Sequence, residues 1–163
     1  MSKIQGKVLK HSEQTRTMHW IHLLCFLILG LTGIGFYFDS AGISNLFGGE
    51  ANASLVHRWA GVLFTAGPAI YILLNFERFS KFIDTISSFT KDDISWLKTM
   101  GGYIPFIKVE NPPPQDKYNA GQKLLGGIII IGCLLMILTG FPMWLWRHLV
   151  PAAFLAICYS IHL

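Results

Sequence analysis

The sequence predicts an all-α integral membrane protein, a four-helix bundle whose fourth helix is incomplete. Hydrophobic residues make up 52% of the 163 residues and charged residues only 13%, well below the roughly 25% charged residues of an average soluble domain. The apolar residues are gathered in blocks, several of them long enough to cross a hydrocarbon core of about 30 Å. These two observations exclude a soluble globule with a polar surface.

Three apolar segments are long enough to span a membrane, at residues 19–38, 55–76 and 124–146. The first contains no Asp, Glu, Lys or Arg, and its apolar stretch is longer than that of a cleaved signal peptide, so we retain it as a helix. Pro68 and Pro142 fall inside the other two segments. Membrane helices tolerate such residues when neighbouring helices satisfy the freed backbone groups, which predicts a packed bundle.

The fourth apolar segment, residues 149–163, has only 15 residues before the sequence stops, too few to cross a membrane. Pro151 is expected to delay the start of its helix by several residues. We therefore expect the polypeptide to continue past Leu163. Residues 1–163 are expected to form a single transmembrane domain.

Basic residues predict the orientation in the membrane. Eleven of the 13 Lys and Arg residues precede the first span or lie between the second and third: Lys3, Lys7, Lys10, Arg16, Arg78, Lys81, Lys91, Lys98, Lys108, Lys117 and Lys123. The positive-inside rule then places the N-terminus in the cytoplasm. Because this asymmetry accounts for the pI of about 9.1, no nucleic-acid partner is expected.

The polar segment at residues 77–117 is expected to form short helices at the membrane interface. Its apolar residues recur at helical spacing: Phe79, Phe82, Ile83 and Ile86. Thr90 and Asp93 have the spacing of a capping box at the start of a second short helix. The three prolines at 112–114 exclude a continuing helix and predict an extended connector to the third span.

Histidines inside apolar segments are candidate metal ligands, because neutral imidazole binds metals and ionisable groups in a membrane are costly. His57 begins the second span and His162 lies in the fourth, both toward the outer face. On one haem iron they would fill both axial positions, which leaves electron transfer as the chemistry. His19 begins the first span at the opposite face and cannot share that haem, so it is a candidate ligand of a second one.

Other interpretations of these histidines stay open. Each could instead form a hydrogen bond to a neighbouring helix, as in a haem-free membrane anchor. His22 shares a helix face with His19 and is expected to be a packing or haem-edge residue. His11 and His148 are expected to be surface groups without a role.

The cysteines restrict the cofactors. Cys25, Cys133 and Cys158 are widely spaced in apolar segments and are expected to be small buried hydrophobic residues. Because the sequence has no Cys-x-x-Cys-His motif, any haem is noncovalent. Because the cysteines are not clustered, an iron–sulfur centre would belong to a partner.

Several motifs carry a family resemblance: Thr15-Arg-Thr-Met-His-Trp20, Thr32-Gly-Ile-Gly-Phe36, Leu55-Val-His-Arg-Trp-Ala-Gly61, Lys117-Tyr-Asn-Ala-Gly-Gln-Lys123 and Leu138-Thr-Gly140. With them the chain resembles, over nearly its whole length, the cytochrome b membrane subunit of respiratory formate dehydrogenases. The first two motifs also occur in related di-haem b-type cytochromes, including those of nickel–iron hydrogenases. The motif that ends at Lys123 is the more specific one.

The resemblance implies a four-helix subunit with two stacked b haems and a quinone site near the cytoplasm, for menaquinone or ubiquinone. It implies that His57 and His162 ligate the outer haem and that His19 supplies one ligand of the inner haem. A second inner ligand would follow further along the fourth helix. The implied quinone-binding residues are Asn119, Gly121 and Gln122. From the residues alone, an amide donor and a glycine could bind a quinone carbonyl, but a plain helix-entry loop has the same composition.

The function implied is that of a noncatalytic electron-transfer and quinone-reducing subunit in a bacterial or archaeal cytoplasmic membrane. It would receive electrons from an iron–sulfur partner of a catalytic dehydrogenase subunit, since no motif for a molybdenum or tungsten cofactor is found in the sequence. Two alternatives are a nickel–iron hydrogenase b-type cytochrome and, in another class, a haem-free membrane anchor.

Overall fold

The computed structural model describes residues 11–104 and 110–163, and every regular element within these two ranges is a helix. This confirms the all-α prediction. The α-helices are α1 (Glu13–Tyr37), α2 (Ala41–Leu46), α3 (Glu50–Leu74), α4 (Phe76–Ser87), α5 (Lys91–Thr99), α6 (Ala120–Leu145) and α7 (Ala152–His162). They fall into two compact units, one containing α1–α3 and the other α4–α7.

In the first unit, α1 and α3 pack along each other in opposite directions. Near the start of α1, the Thr15 hydroxyl lies 2.8 Å from the Tyr71 hydroxyl at the end of α3. Near the end of α1, Thr32 contacts His57 in the first half of α3. The short helix α2 contacts both α1 and α3. α2 is not predicted from the sequence, because six residues are too few to show a helical period.

Both spans of the first unit begin earlier than predicted. α1 begins at Glu13 rather than at residue 19, and α3 begins at Glu50 rather than at residue 55. Hydropathy locates the apolar block, whereas the helix extends through polar residues to its cap, here Ser12, whose side chain accepts a hydrogen bond from Thr15 N. His19 and His57 therefore lie well inside their helices and not at the first residue.

In the second unit, α7 packs along α6, and α4 and α5 pack against the first part of α6. The short helices predicted between the second and third spans are present as α4 and α5, and their place at the membrane interface stays a prediction. Phe82 and Ile86 of α4 lie against Gly126 of α6. The Thr90 hydroxyl accepts from Asp93 N at 3.2 Å, and the Asp93 carboxylate accepts from Thr90 N at 2.8 Å, which is the capping box expected at the start of α5.

The third and fourth spans also differ from their predicted bounds. α6 begins at Ala120 rather than at residue 124, so Lys123 lies inside the helix. α7 begins at Ala152, directly after Pro151, which confirms the delayed start. Both α3 and α6 continue as helix through their prolines, Pro68 and Pro142.

Within the described ranges, α1 and α6 are each long and apolar enough to cross a membrane. A third span results if α3 and α4 are counted together as one broken span. The 11 residues of α7 are apolar but too few to cross. Many large side chains of α6 are exposed although they are apolar, among them Ile128, Ile131 and Leu138. Exposure of that kind is favourable in lipid and costly in water.

Candidate functional site

His57 is held by a threonine of the neighbouring helix. Its Nδ1 lies 2.7 Å from the Thr32 hydroxyl, and that hydroxyl donates to the carbonyl oxygen of Ile28, also at 2.7 Å. A hydroxyl has a single proton, so when that of Thr32 is donated to the Ile28 carbonyl, the contact with the ring has His57 Nδ1–H as its donor. The lone pair of the neutral ring is then on Nε2, the nitrogen that would bind a metal.

His162 has the same arrangement in the second unit. Its Nδ1 lies 2.8 Å from the Thr139 hydroxyl, which donates to the carbonyl oxygen of Leu135 at 2.7 Å. The next residue, Gly140, allows the ring to lie against α6, since a Cβ there would be 2.9 Å from His162 Cε1. Any larger residue at position 140 would displace the imidazole.

These two histidines fit the requirements of haem axial ligands. A metal-ligating histidine almost always donates its second ring N–H to a fixed acceptor, which orients the ring and selects the tautomer. Both rings are half-buried, and both have this acceptor. In the sequence, the partners of the two histidines are marked by the Thr-Gly pairs at 32–33 and 139–140, which there carry only the family resemblance.

His19 is exposed on α1, where its ring meets the edge of Trp20 with 5.9 Å between centroids. It precedes Thr32, the contact of His57, by 13 residues, about 20 Å along the helix at 1.5 Å per residue. His22 stacks on Phe64 at 4.0 Å, which is a packing contact. The first unit therefore holds His19 and His57 far apart, as two ligands of different haems would be.

Asn119, Gly121 and Gln122 form the start of α6. The Asn119 Oδ1 accepts from Gln122 N at 2.8 Å and the Gln122 Oε1 accepts from Asn119 N at 3.1 Å, which makes a capping box. A Cβ at Gly121 would lie 3.0 Å from the Trp96 ring, so this glycine permits the close packing of α5. The cap uses the carboxamide oxygen of Asn119 and not its NH2 group.

One turn further along α6, Lys123 takes part in a buried polar cluster that the sequence analysis missed. The side chains of Lys123 and Asp93 are each 4% exposed, and Lys123 Nζ lies 2.7 Å from Asp93 Oδ2. Lys123 also donates to the carbonyl oxygen of Ser88 at 3.1 Å, and the Thr90 hydroxyl donates to the same Asp93 oxygen at 3.0 Å. We call these four residues, Ser88, Thr90, Asp93 and Lys123, the Lys123 lock.

The lock determines the charge of Asp93. Burial alone would raise the pKa of this carboxyl, but the hydrogen bonds from Lys123 and Thr90 outweigh burial and hold the pKa below its ordinary value. A cleft of about 300 Å³ lies beside the lock. Its lining is polar: Asp84, Thr85, Ser88, Thr90, Asp116 and Lys123.

We expect acid to release α5 from α6. Because the pKa of Asp93 is lowered in the folded protein, its contribution to stability is present above the unfolded value of about 3.9 and is lost as the pH falls through the lower folded pKa. Hydrogen exchange of the α5 amides, corrected for the intrinsic pH dependence, measures this. Amide exchange at the α6–α7 contact serves as the internal control. Equal protection of α5 above and below the transition would contradict the expectation.

Comparison with known proteins finds a family model and several relatives, and all of them are b-type cytochromes by name. A family model described as prokaryotic cytochrome b561 matches residues 10–163. The chain is similar to the formate dehydrogenase cytochrome b556 subunit of Haemophilus influenzae, with 28% identity over 151 residues that cover 88% of this chain and 59% of that protein. In Escherichia coli K12 it is similar to the cytochrome b556(fdo) subunit, with 25% identity over 143 residues, 87% of this chain and 63% of the relative.

A further relative in the same organism is the nitrate-inducible cytochrome b556(Fdn) subunit of formate dehydrogenase, with 29% identity over 132 residues, 79% of this chain and 56% of the relative. The chain thus spans less than two thirds of the length of these relatives. The match of the family model, in contrast, covers almost every residue of the chain. The chain therefore belongs to the prokaryotic cytochrome b561 family, a membership that implies haem b.

Proposed function

We propose that this chain is the membrane haem b subunit that passes electrons from an iron–sulfur partner of a formate dehydrogenase-like complex to the quinone pool. The observation that carries the proposal is the paired arrangement of His57 on Thr32 and His162 on Thr139. The names of the relatives support formate dehydrogenase as the catalytic partner. The spans support a multi-pass position in the inner membrane, in contact with lipid.

His57 and His162 are proposed as the two ligands of an outer haem b. The position of each threonine contact along its own helix supports this proposal. Thr32 lies five residues before the end of α1, and Thr139 lies six residues before the end of α6. With a cytoplasmic N-terminus, α1 and α6 would each run toward the outer face, so each threonine contact would lie in the outer part of its own helix.

His19 is proposed as one ligand of a second, inner haem, about 20 Å along α1 from the contact of His57. A bound haem b would supply one-electron redox chemistry. The histidines would hold it through Nε2 and, as axial pairs, would leave no coordination position for oxygen or substrate. This chain then conducts electrons and does not oxidise formate itself.

The distribution of basic residues supports a cytoplasmic N-terminus. Electrons that enter at the outer face would then move inward, against a membrane potential that is negative inside. The cost is about 2.3 kcal/mol per electron for each 100 mV. The donor must therefore be strongly reducing, a condition that formate and hydrogen both meet.

The quinone, menaquinone or ubiquinone, is proposed to bind at the start of α6, where Asn119, Gly121 and Gln122 are grouped. Since the capping box uses only the carboxamide oxygen of Asn119, its NH2 group is available in chemical terms as a donor to a quinone carbonyl. The packing of Trp96 on Gly121 would hold this turn in position.

Reduced-minus-oxidised absorption spectra of the purified complex test the haem proposal. We expect the bands of two b-type haems. Identification of the copurifying catalytic chain tests the partner, because a nickel–iron subunit in place of a formate dehydrogenase would assign the chain to the hydrogenase cytochromes. A complex without b-type bands, from cells with an intact haem supply, would leave only a membrane anchor.

Asn119→Asp tests the quinone proposal, because aspartate keeps the oxygen that caps α6 and removes the NH2 donor. Loss of a hydrogen bond worth about 1.4 kcal/mol should slow quinone reduction about tenfold per haem, with haem content unchanged. Asn119→Ser, a neutral cap, should act in the same direction. Asn119→Leu also removes the cap and should lower stability by about 1 kcal/mol. Wild-type turnover in the Asp and Ser variants would remove Asn119 from the quinone site.

A further inference from the structure

Two hydrogen-bonded chains of the same design end on His57 and His162. In each, a ring Nδ1 lies within hydrogen-bond distance of a threonine hydroxyl, and the hydroxyl donates to a carbonyl four residues earlier in its own helix. With the hydroxyl proton on that carbonyl, the ring Nδ1–H is the donor to the hydroxyl. The distances are 2.7 and 2.7 Å for His57, Thr32 and Ile28, and 2.8 and 2.7 Å for His162, Thr139 and Leu135. We call each chain a threonine relay.

In each relay, the threonine hydroxyl has a fixed role toward the ring, that of hydrogen-bond acceptor. A hydroxyl can donate or accept, but one that donates to its own helix carbonyl can only accept from a neighbour. Thr32 is 0% exposed and Thr139 is 5% exposed. Because both are buried, water does not replace the hydroxyl as the acceptor, and the proton stays on Nδ1 of each histidine.

An acceptor at Nδ1–H changes the chemistry at the opposite nitrogen. Partial transfer of the proton toward the acceptor raises the electron density on Nε2 and makes the imidazole a more basic ligand. A more basic axial ligand stabilises the oxidised form of a metal more than the reduced form. Two such ligands on one iron would act in the same direction.

We infer that Thr32 and Thr139 are positioning residues that lower the reduction potential of the haem bound by His57 and His162 and fix the orientation of both rings. The inference rests on the proposed function. It goes further by assigning the redox tuning to two residues that would not touch the haem iron, and to the hydroxyl group of each.

The test replaces each hydroxyl with a methyl group. Thr32→Val and Thr139→Val keep the branched shape and remove the acceptor. Each should raise the ratio of reduced to oxidised outer haem at a fixed potential about tenfold, a shift of about 59 mV for one electron. Thr32→Ser and Thr139→Ser should restore the wild-type value. Spectroelectrochemical titration of the purified complex measures the potential, and electron paramagnetic resonance of the oxidised haem reports the ring orientation.

Thr65→Val is the matched control. The Thr65 hydroxyl donates to the Gly61 carbonyl of the same helix at 2.9 Å, as in a relay, but makes no contact with a histidine. Its variant should keep the wild-type potential. If both relay variants keep haem and also keep the wild-type potential, the inference is wrong while the proposed function stands.

Loss of haem has two different meanings in this experiment. Haem lost from the valine variants and kept in the serine variants would support the inference, since the hydroxyl would then be needed to hold the ligand. Haem lost from both sets would overturn it, because a hydroxyl at these positions would then not be sufficient to hold the ligand. A wild-type complex without b-type haem would overturn the proposed function itself.

Discussion

His57→Ala and His162→Ala should each abolish the same haem signal. Either change would leave the iron with one protein ligand, and a low-spin haem held by two histidines needs both. The two variants should therefore lose identical b-type bands and the same midpoint potential, and electron transfer to quinone should fall by more than a hundredfold. His19→Ala should remove the other haem and keep this one.

Difference spectra and potentiometric titration of the purified complex distinguish the two haems. His148→Ala is the control, because His148 is exposed and outside the proposed site, so both haems should remain. If one of the two variants loses haem and the other keeps the complete bis-histidine signal, His57 and His162 do not share an iron.

Lys123→Met should open the Lys123 lock. The change leaves the Asp93 carboxylate buried without its cation, and breaking a buried ion pair from one side costs about 3–5 kcal/mol. Hydrogen exchange of the α5 amides should accelerate at least about a hundredfold, since each 1.36 kcal/mol is a factor of ten. Adding Asp93→Asn to the Lys123→Met variant should restore part of the protection. The second change removes the unpaired carboxylate charge and keeps a capping oxygen for α5.

The exposed pair of Lys81 and Glu77 is a matched control for the lock. Its atoms are as close, 2.6 Å apart, but the two side chains are 73% and 82% exposed. Lys81→Met should therefore change the protection of α4 little, because solvent screens an exposed pair. Equal effects of Lys81→Met and Lys123→Met would show that burial of the lock has no energetic consequence.

Hydropathy and charge predicted the helical class, the bounds of the three long helices to within six residues, and the presence of short helices where α4 and α5 lie. The errors lie at the helix starts. Polar residues before an apolar block, such as those between Ser12 and His19, look like a loop in composition, but a capped helix extends through them to the interface. The early start of α6 at Ala120 has the same cause.

The contacts of the site could not be predicted from the sequence. Thr32 and His57 are 25 residues apart, and Lys123 and Asp93 are 30 apart. Sequence periodicity relates residues within one helix and gives no information on which residues of two helices meet. Charged residues are also expected in solvent by default, so Lys123 was counted toward the orientation of the chain and as the end of a family motif, and a buried ion pair was not expected.

The contacts between α1 and α3 have a mechanical consequence. Thr15 with Tyr71 and Thr32 with His57 connect the two helices near both ends of α1, at 2.8 and 2.7 Å. A slip of one residue would move a helix by 1.5 Å and turn it by about 100°, which would break both connections at once. The two helices therefore resist sliding along each other. If a haem iron bound to His57 changed its oxidation state, the ring would stay in place. Ligands that move little between redox states favour rapid electron exchange.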